Sequence, residues 1–193
     1  MAEAAQKIHL SYAAYLELEQ ETGLRHEHLN GEAWAMAGGT GPHSDIKVNL
    51  TLALGAALRG RPCRIRDSDF KITVSETGLT TYPDLSVFCG PVIPPPEDPH
   101  AGTNPVLLAE VLSPSTERWD RGGKFAHVRR LASLRYYLLV NVEPRRVELF
   151  TRDAEGGWRL TEHGPGAVVP LPELGLSLDV DALYENVEDE VAA

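Results

Sequence analysis

Glu110 lies inside the apolar run Val106-Leu107-Leu108-Ala109-Glu110-Val111-Leu112. A carboxylate in a buried strand is costly unless it is paired, protonated or bound to a metal. Asp84 opens a second extended run, Leu85 to Phe88, after Tyr82-Pro83. If the two strands are neighbours, both carboxylates face one groove. Like charges that close raise each other's pKa, so the pair calls for a cation. Two hard oxygen donors plus water suit Mg2+ or Mn2+ better than Zn2+, which takes His or Cys. Lys124, fourteen residues beyond Glu110, would set an ammonium beside the ion, to hold an attacking water and an anionic phosphorane. Each residue also has a plainer reading. Glu110 reaches water or a core Arg, Pro83-Asp84 is a turn pair, and Asp120–Lys124 is an i,i+4 surface pair.

The elements that must position these residues follow from periodicity. Residues 11–22 read as a short helix capped by Ser11, with Tyr12, Tyr15 and Leu16 on one face. Asn30-Gly31 between two extended runs predicts a hairpin over 24–36. After the loop at 38–42, His43 and Ser44 open a helix with Ile46, Leu50, Ala53, Leu54, Ala57 and Leu58 at helical spacing, ending near Gly60. Residues 63–66, 70–74 and 85–88 alternate as strands, residues 90–105 read as a long exposed Pro/Gly loop, and 106–112 as a buried strand. A helix is expected over 117–132, weakened by Gly122-Gly123. Residues 136–140 are near-continuously apolar, as in a strand covered on both faces. A meander at 147–150 and 158–160 and a short helix at 179–185 complete the chain. There is no internal repeat.

The order helix, strand, strand, strand, helix, strand predicts an α/β (α+β) fold: a mixed β-sheet with a helix on each face. To it are added an N-terminal helix and hairpin (11–36) and a C-terminal β-meander. One domain over 1–193 is expected, with its core at about 43–142 and an acidic segment at 153–193.

Composition limits the function classes. The 193 residues are 42% hydrophobic and 24% charged, which excludes wholesale disorder. No apolar run approaches the roughly 18–20 residues that span a bilayer, and Met1 to His9, which lacks an apolar stretch, is not expected to act as a secretory signal. Two cysteines, Cys63 and Cys89, make no disulfide framework and read as small hydrophobes in strands. The expected setting is a reducing cytoplasm without membrane contact. The net charge of −10 is uneven: residues 1–152 carry 17 Lys+Arg against 18 Asp+Glu, and residues 153–193 carry one Arg against ten acids. Basic residues cluster at Arg59, Arg61, Arg64, Arg66 and again from Arg118 to Arg135. Either group is a solvated face or a track for a phosphate backbone. Gly38-Gly39-Thr40-Gly41 lacks P-loop spacing, His26 and His28 lack a third metal ligand, and there is no G-x-S-x-G elbow. Trp34, Trp119 and Trp158 read as core or interface packing.

Five stretches carry a resemblance: PDLSVFCG (83–90), EVLSPSTERWDRGGK (110–124), RYYLLVNVEP (135–144), HEHLNGEAWAM (26–36) and the helix start Pro42-His43-Ser44. Together they resemble the Uma-type restriction endonuclease family of the PD-(D/E)XK nuclease superfamily, over roughly residues 11–185. The resemblance implies a restriction-endonuclease-like fold and a Mg2+ (or Mn2+) site hydrolysing the phosphodiester bonds of nucleic acid, here DNA. By position, Asp84 and Glu110 match the two acids and, with the Val111 backbone carbonyl, hold the metal. The superfamily's lysine falls two residues after the second acid. That position is Leu112 here, and Lys124 in the following helix is the matching residue. Glu27 would be an outer-shell acid, and His43 a helix-start residue near the groove. Arg64, Arg66, Arg118 and Arg121 would steer the nucleic-acid backbone without base selectivity. A single groove cuts one strand, so a homodimer is expected, with the 24–36 hairpin as its pairing edge. Two other classes remain open: an idle nuclease fold that binds nucleic acid or a protein partner, and a protein with structural ions.

Overall fold

The computed structural model describes residues 6–36 and 38–188. In chain order the first elements are β1 (Lys7–His9), α1 (Tyr12–Thr22), β2 (His26–Leu29), β3 (Glu32–Ala35), α2 (Gly41–Ala57), β4 (Cys63–Asp67), β5 (Lys71–Val74), β6 (Leu79–Thr81) and β7 (Leu85–Cys89). Then come β8 (Ala101–Gly102), β9 (Leu107–Leu112), α3 (Phe125–Val128), β10 (Tyr136–Asn141), β11 (Arg146–Arg152), β12 (Trp158–His163), β13 (Val168–Leu171), β14 (Leu176–Asp179) and α4 (Val180–Leu183). The Ser11 hydroxyl accepts the Ala14 N–H at the start of α1, and Thr40 caps α2. Asn30 and Gly31, at φ 52° and 80°, make the tight turn between β2 and β3.

Two six-stranded sheets result, ordered β12-β11-β10-β9-β7-β4 and β1-β3-β2-β6-β5-β8. In the first, β9 and β10 run parallel and the other pairs are antiparallel. Every residue of β9 and β10 is buried. Strand alternation divides this sheet's side chains between two cores. Leu85, Val87, Leu107, Ala109, Val111, Tyr136 and Leu138 pack under Ile46, Leu50 and Leu54 of α2 and under α4. Phe88, Leu108, Leu112, Tyr137 and Leu139 face the other way, against Ile72, Val74 and Leu79 of the second sheet and Val128 after the β9 crossover. Glu110 has the parity of Leu108 and Leu112, so it enters the second core.

The fold is a mixed-sheet α+β architecture of the kind expected, with four differences in detail. The central sheet has α2 on one face but a second sheet on much of the other, because the 26–35 hairpin is not an appendage. It pairs with β1 on one side and β6 on the other, so neither hairpin strand is free as a pairing edge. The helix expected at 117–132 is a π-helical turn, Trp119–Lys124, followed by α3 alone. The 90–105 loop is not wholly exposed: β8 pairs with β5, and Asp98 is buried against Lys71 at 2.6 Å. Cys63 and Cys89 are not separate hydrophobes but a disulfide, since the β4–β7 register sets them directly opposite each other. Among the described residues no helix is long and apolar enough to cross a membrane.

Candidate active site

β7 and β9 are adjacent and antiparallel, with Leu85 opposite Ala109. One step further along that register, Asp84 stands opposite Glu110. The two acids interlock through the backbone. The Asp84 N–H donates to Glu110 Oε2 at 3.3 Å, and the Val111 N–H donates to Asp84 Oδ2 at 2.8 Å. Val111 thus meets Asp84 through its amide, while the expectation concerned its carbonyl. α2 reaches the same carboxylate from above. His43 Nε2 lies 3.3 Å from Asp84 Oδ2, and Lys47 Nζ 3.9 Å from Oδ1. His43, expected beside the groove, is a direct neighbour of Asp84.

Lys124 is not the surface partner of Asp120. Only 4% exposed, its ammonium lies between three carboxylates: Asp120 Oδ1 at 2.9 Å, Glu110 Oε1 at 3.0 Å and Glu27 Oε1 at 3.0 Å. Each comes from a different element. Glu110 projects from the central sheet, Glu27 from β2 of the second sheet, and Asp120 from the π-helical turn. Glu27 is itself fixed by the indole N–H groups of Trp34 (3.1 Å) and Trp119 (2.7 Å) and by the Thr81 hydroxyl. Trp34 and Trp119, read as packing residues, therefore position an acid. The Tyr137 hydroxyl donates to the Asp120 carbonyl at 3.0 Å and ties the π-helical turn to β10. Such turns recur at functional sites.

The electrostatics follow from burial. Burial pushes the Glu110 carboxyl well up, with Asp120 and Asp84 adding to it and Lys124 opposing. Burial pulls in the same sense on Asp84, but the His43 hydrogen bond, the Val111 N–H and Lys47 outweigh it and hold that carboxyl below its usual range. Burial would strip the Lys124 proton, yet Glu110, Glu27 and Asp120 raise it well above the ordinary lysine range. Lys124 is therefore a fixed cation.

Gly123 makes this arrangement possible. A Cβ there would stand 2.1 Å from Cε3 and 2.2 Å from Cζ3 of Trp119. Gly123→Ala is expected to displace the indole from Glu27 and destabilise the protein by about 1–3 kcal/mol. Urea unfolding together with the near-ultraviolet circular dichroism of the tryptophans checks this. Unchanged spectra would mean the ring does not rest on the glycine.

The candidate phosphate-binding arginines divide. Arg64 and Arg66 on the edge strand β4 are exposed, as is Arg118. Arg121 is not a free cation. Its guanidinium donates to Glu148 at 3.0 and 2.6 Å, to Asn141 Oδ1 at 2.6 Å, and to Glu117. Glu148 is buried in β11 and needs that partner, so the guanidinium turns inward. Beside the acids opens a cleft of about 180 Å3, lined in part by His43, Ser113, Glu117, Asn141, Arg145 and Glu188.

Among the described residues no group of three or more His, Cys, Asp or Glu side chains is arranged to hold a metal ion. Asp84 and Glu110 alone supply two hard oxygen donors. That set suits a cation that keeps much of its water, as Mg2+ does, and not a closed Zn2+ site.

Known proteins resemble this chain in sequence and in fold. The family model described as "Uma2: Putative restriction endonuclease" matches residues 12–181. The uncharacterized Synechocystis protein slr1290 is 36% identical over 178 residues, 92% of this chain and 93% of the relative. A second Synechocystis protein, sll1609, also uncharacterized, is 33% identical over 162 residues, 84% of this chain and 91% of the relative. The crystal structure of "a putative nuclease belonging to DUF820" from Anabaena variabilis superposes with a TM-score of 0.73. It covers 92% of this chain and 98% of that one at 22% identity, a likeness of fold.

Proposed function

Because the chain belongs to the Uma2 family of restriction-endonuclease-like proteins, we propose that it is a metal-dependent endonuclease that hydrolyses the phosphodiester bonds of DNA. The observation that carries this reading is the reciprocal bonding of Asp84 and Glu110 across β7 and β9, with Lys124 at the other oxygen of Glu110. Asp84 and Glu110 would hold Mg2+ or Mn2+. The bound ion would polarise a phosphate oxygen and lower the pKa of its water. His43 orients Asp84. Lys124 keeps its proton, so it acts as a fixed positive charge toward the developing phosphorane and not as the base. Glu27, anchored by Trp34 and Trp119, sets the position of that ammonium. Arg64, Arg66 and Arg118 steer the phosphate backbone. A homodimer, which would let two grooves cut two strands, belongs to the same reading.

One observation favours a second reading, an idle nuclease fold that binds nucleic acid or a protein. Lys124 is nearly inaccessible, and three carboxylates surround it. Calorimetric titration of Mg2+ and of Mn2+ into wild type and Glu110→Ala, with incubation of each protein in a mixed DNA and RNA pool, separates the two. Ion binding and DNA cleavage, both lost in the variant, are expected. Ion binding without cleavage makes the ions structural, and no ion binding leaves the idle fold.

A further inference from the structure

The outer face of α2 is the wrong kind of surface for a solvated helix. Ile46, Leu50 and Leu54 face the core, as an amphipathic helix requires. Yet Val48 is 52% and Leu52 66% exposed on the opposite side, and Ala56 is exposed beside them. Asp45 and Arg59, both exposed, stand at the two ends of this stripe. Neither makes an ion pair within the chain among the described residues. At about 100° per residue Asp45, Val48, Leu52 and Ala56 fall within an arc of roughly 80°, and Arg59 lies in the turn that follows the helix.

The stripe is also a palindrome. Its steps, 45 to 48 to 52 to 56 to 59, are three, four, four and three residues. A twofold axis through Leu52 lays a second α2 antiparallel on the first. It sets Leu52 on Leu52 of the second copy, Val48 on Ala56, and Asp45 on Arg59. Apolar side chains meet in the middle and opposite charges at both ends, the self-complementarity that an isologous contact demands. We propose that α2 is the homodimer surface, paired antiparallel about Leu52 with a second copy of this chain. The small side chain of Ala56 lets the backbones approach. One helix pair buries less than the ~800 Å2 per partner of a standard interface, so the dimer is concentration-dependent.

The consequence deepens the nuclease reading and, for this point alone, rests on it. His43 and Lys47 hold Asp84 at the N-terminal end of α2. Antiparallel pairing sets the two His43 residues roughly 27 Å apart along the helix axes, at opposite ends of one assembly.

Sedimentation velocity over roughly a hundredfold range of concentration tests the surface directly. Wild type is expected to pass from monomer to dimer, and Leu52→Glu to remain monomeric with an unchanged far-ultraviolet spectrum. Asp45→Arg and Arg59→Asp should each weaken pairing by roughly tenfold, since two symmetric pairs turn repulsive, and the double exchange should restore it. A dimer that survives Leu52→Glu overturns the surface while leaving the homodimer standing. A wild type that is monomeric throughout overturns both. Neither result bears on cleavage, which the metal titration decides separately.

Discussion

Lys124→Met is expected to destabilise the protein by about 3–5 kcal/mol, the range for removing one partner from a buried ionic cluster. The replacement fills similar volume, so the loss is electrostatic. It leaves Glu27, Glu110 and Asp120 buried together with no cation among them. Lys124 binds its proton more tightly folded than unfolded, so its contribution is complete below its unfolded value of 10.5 and fades only as pH rises through the higher folded value. The effect is thus whole at neutral pH. Urea unfolding of the two proteins at pH 7 measures it. A loss under about 1 kcal/mol would mean the three carboxylates are hydrated, because exposed pairs contribute no more than that.

Arg121→Met is expected to lower stability by about 2–3 kcal/mol, less than the full loss for a lone buried charge because Arg146 still reaches Glu148 at 3.0 Å. Burial pushes the Glu148 carboxyl up, but Arg121, Asn141 and Arg146 overcome it and hold it below its usual value. A carboxyl depressed on folding adds stability above its unfolded pKa of 4.5, and that stability is lost as pH falls through the lower folded value. The variant should therefore show a flatter acid limb in its stability profile. On the proposed reading as a DNA-cutting enzyme, the variant's DNA affinity should keep the wild-type salt dependence, whereas Arg64→Ala, Arg66→Ala or Arg118→Ala should each reduce the slope of log K against log salt by about 0.9. A reduced slope in Arg121→Met would return that residue to the phosphate track.

Much of this is visible in the sequence, for reasons that can be named. An acid within VLLAEVL and an acid after Tyr82-Pro83 mark two strand positions that sequence alone makes conspicuous, and the structure sets them side by side. Asn30-Gly31 announces its turn because few residues tolerate positive φ twice in succession. What stays hidden is tertiary. Glu27 sits in a short polar hairpin, and nothing local reveals that a second sheet will bury it. The π-helical turn escapes a period of 3.6, and Gly122-Gly123 looks like weakness until the Trp119 ring is seen lying where a Cβ would be. Asp120 and Lys124 have the spacing of a surface pair, and only the crossover's burial makes them an internal one. Arg121 matches the composition of a phosphate-binding patch, and Glu148, 27 residues away, draws it inward. Cys63 and Cys89 are opposed by strand register, which spacing along the chain does not disclose.

Glu110 is carried by β9, and β9 with β10 shows no residue to solvent on either face. Amides in such central strands exchange only through the largest openings of a protein. Fraying at the rim therefore leaves this acid's seat undisturbed. On the proposed nuclease reading, heat inactivation and collapse of the whole molecule should then be a single event, with no intermediate temperature at which the shell persists and the floor of the site has gone.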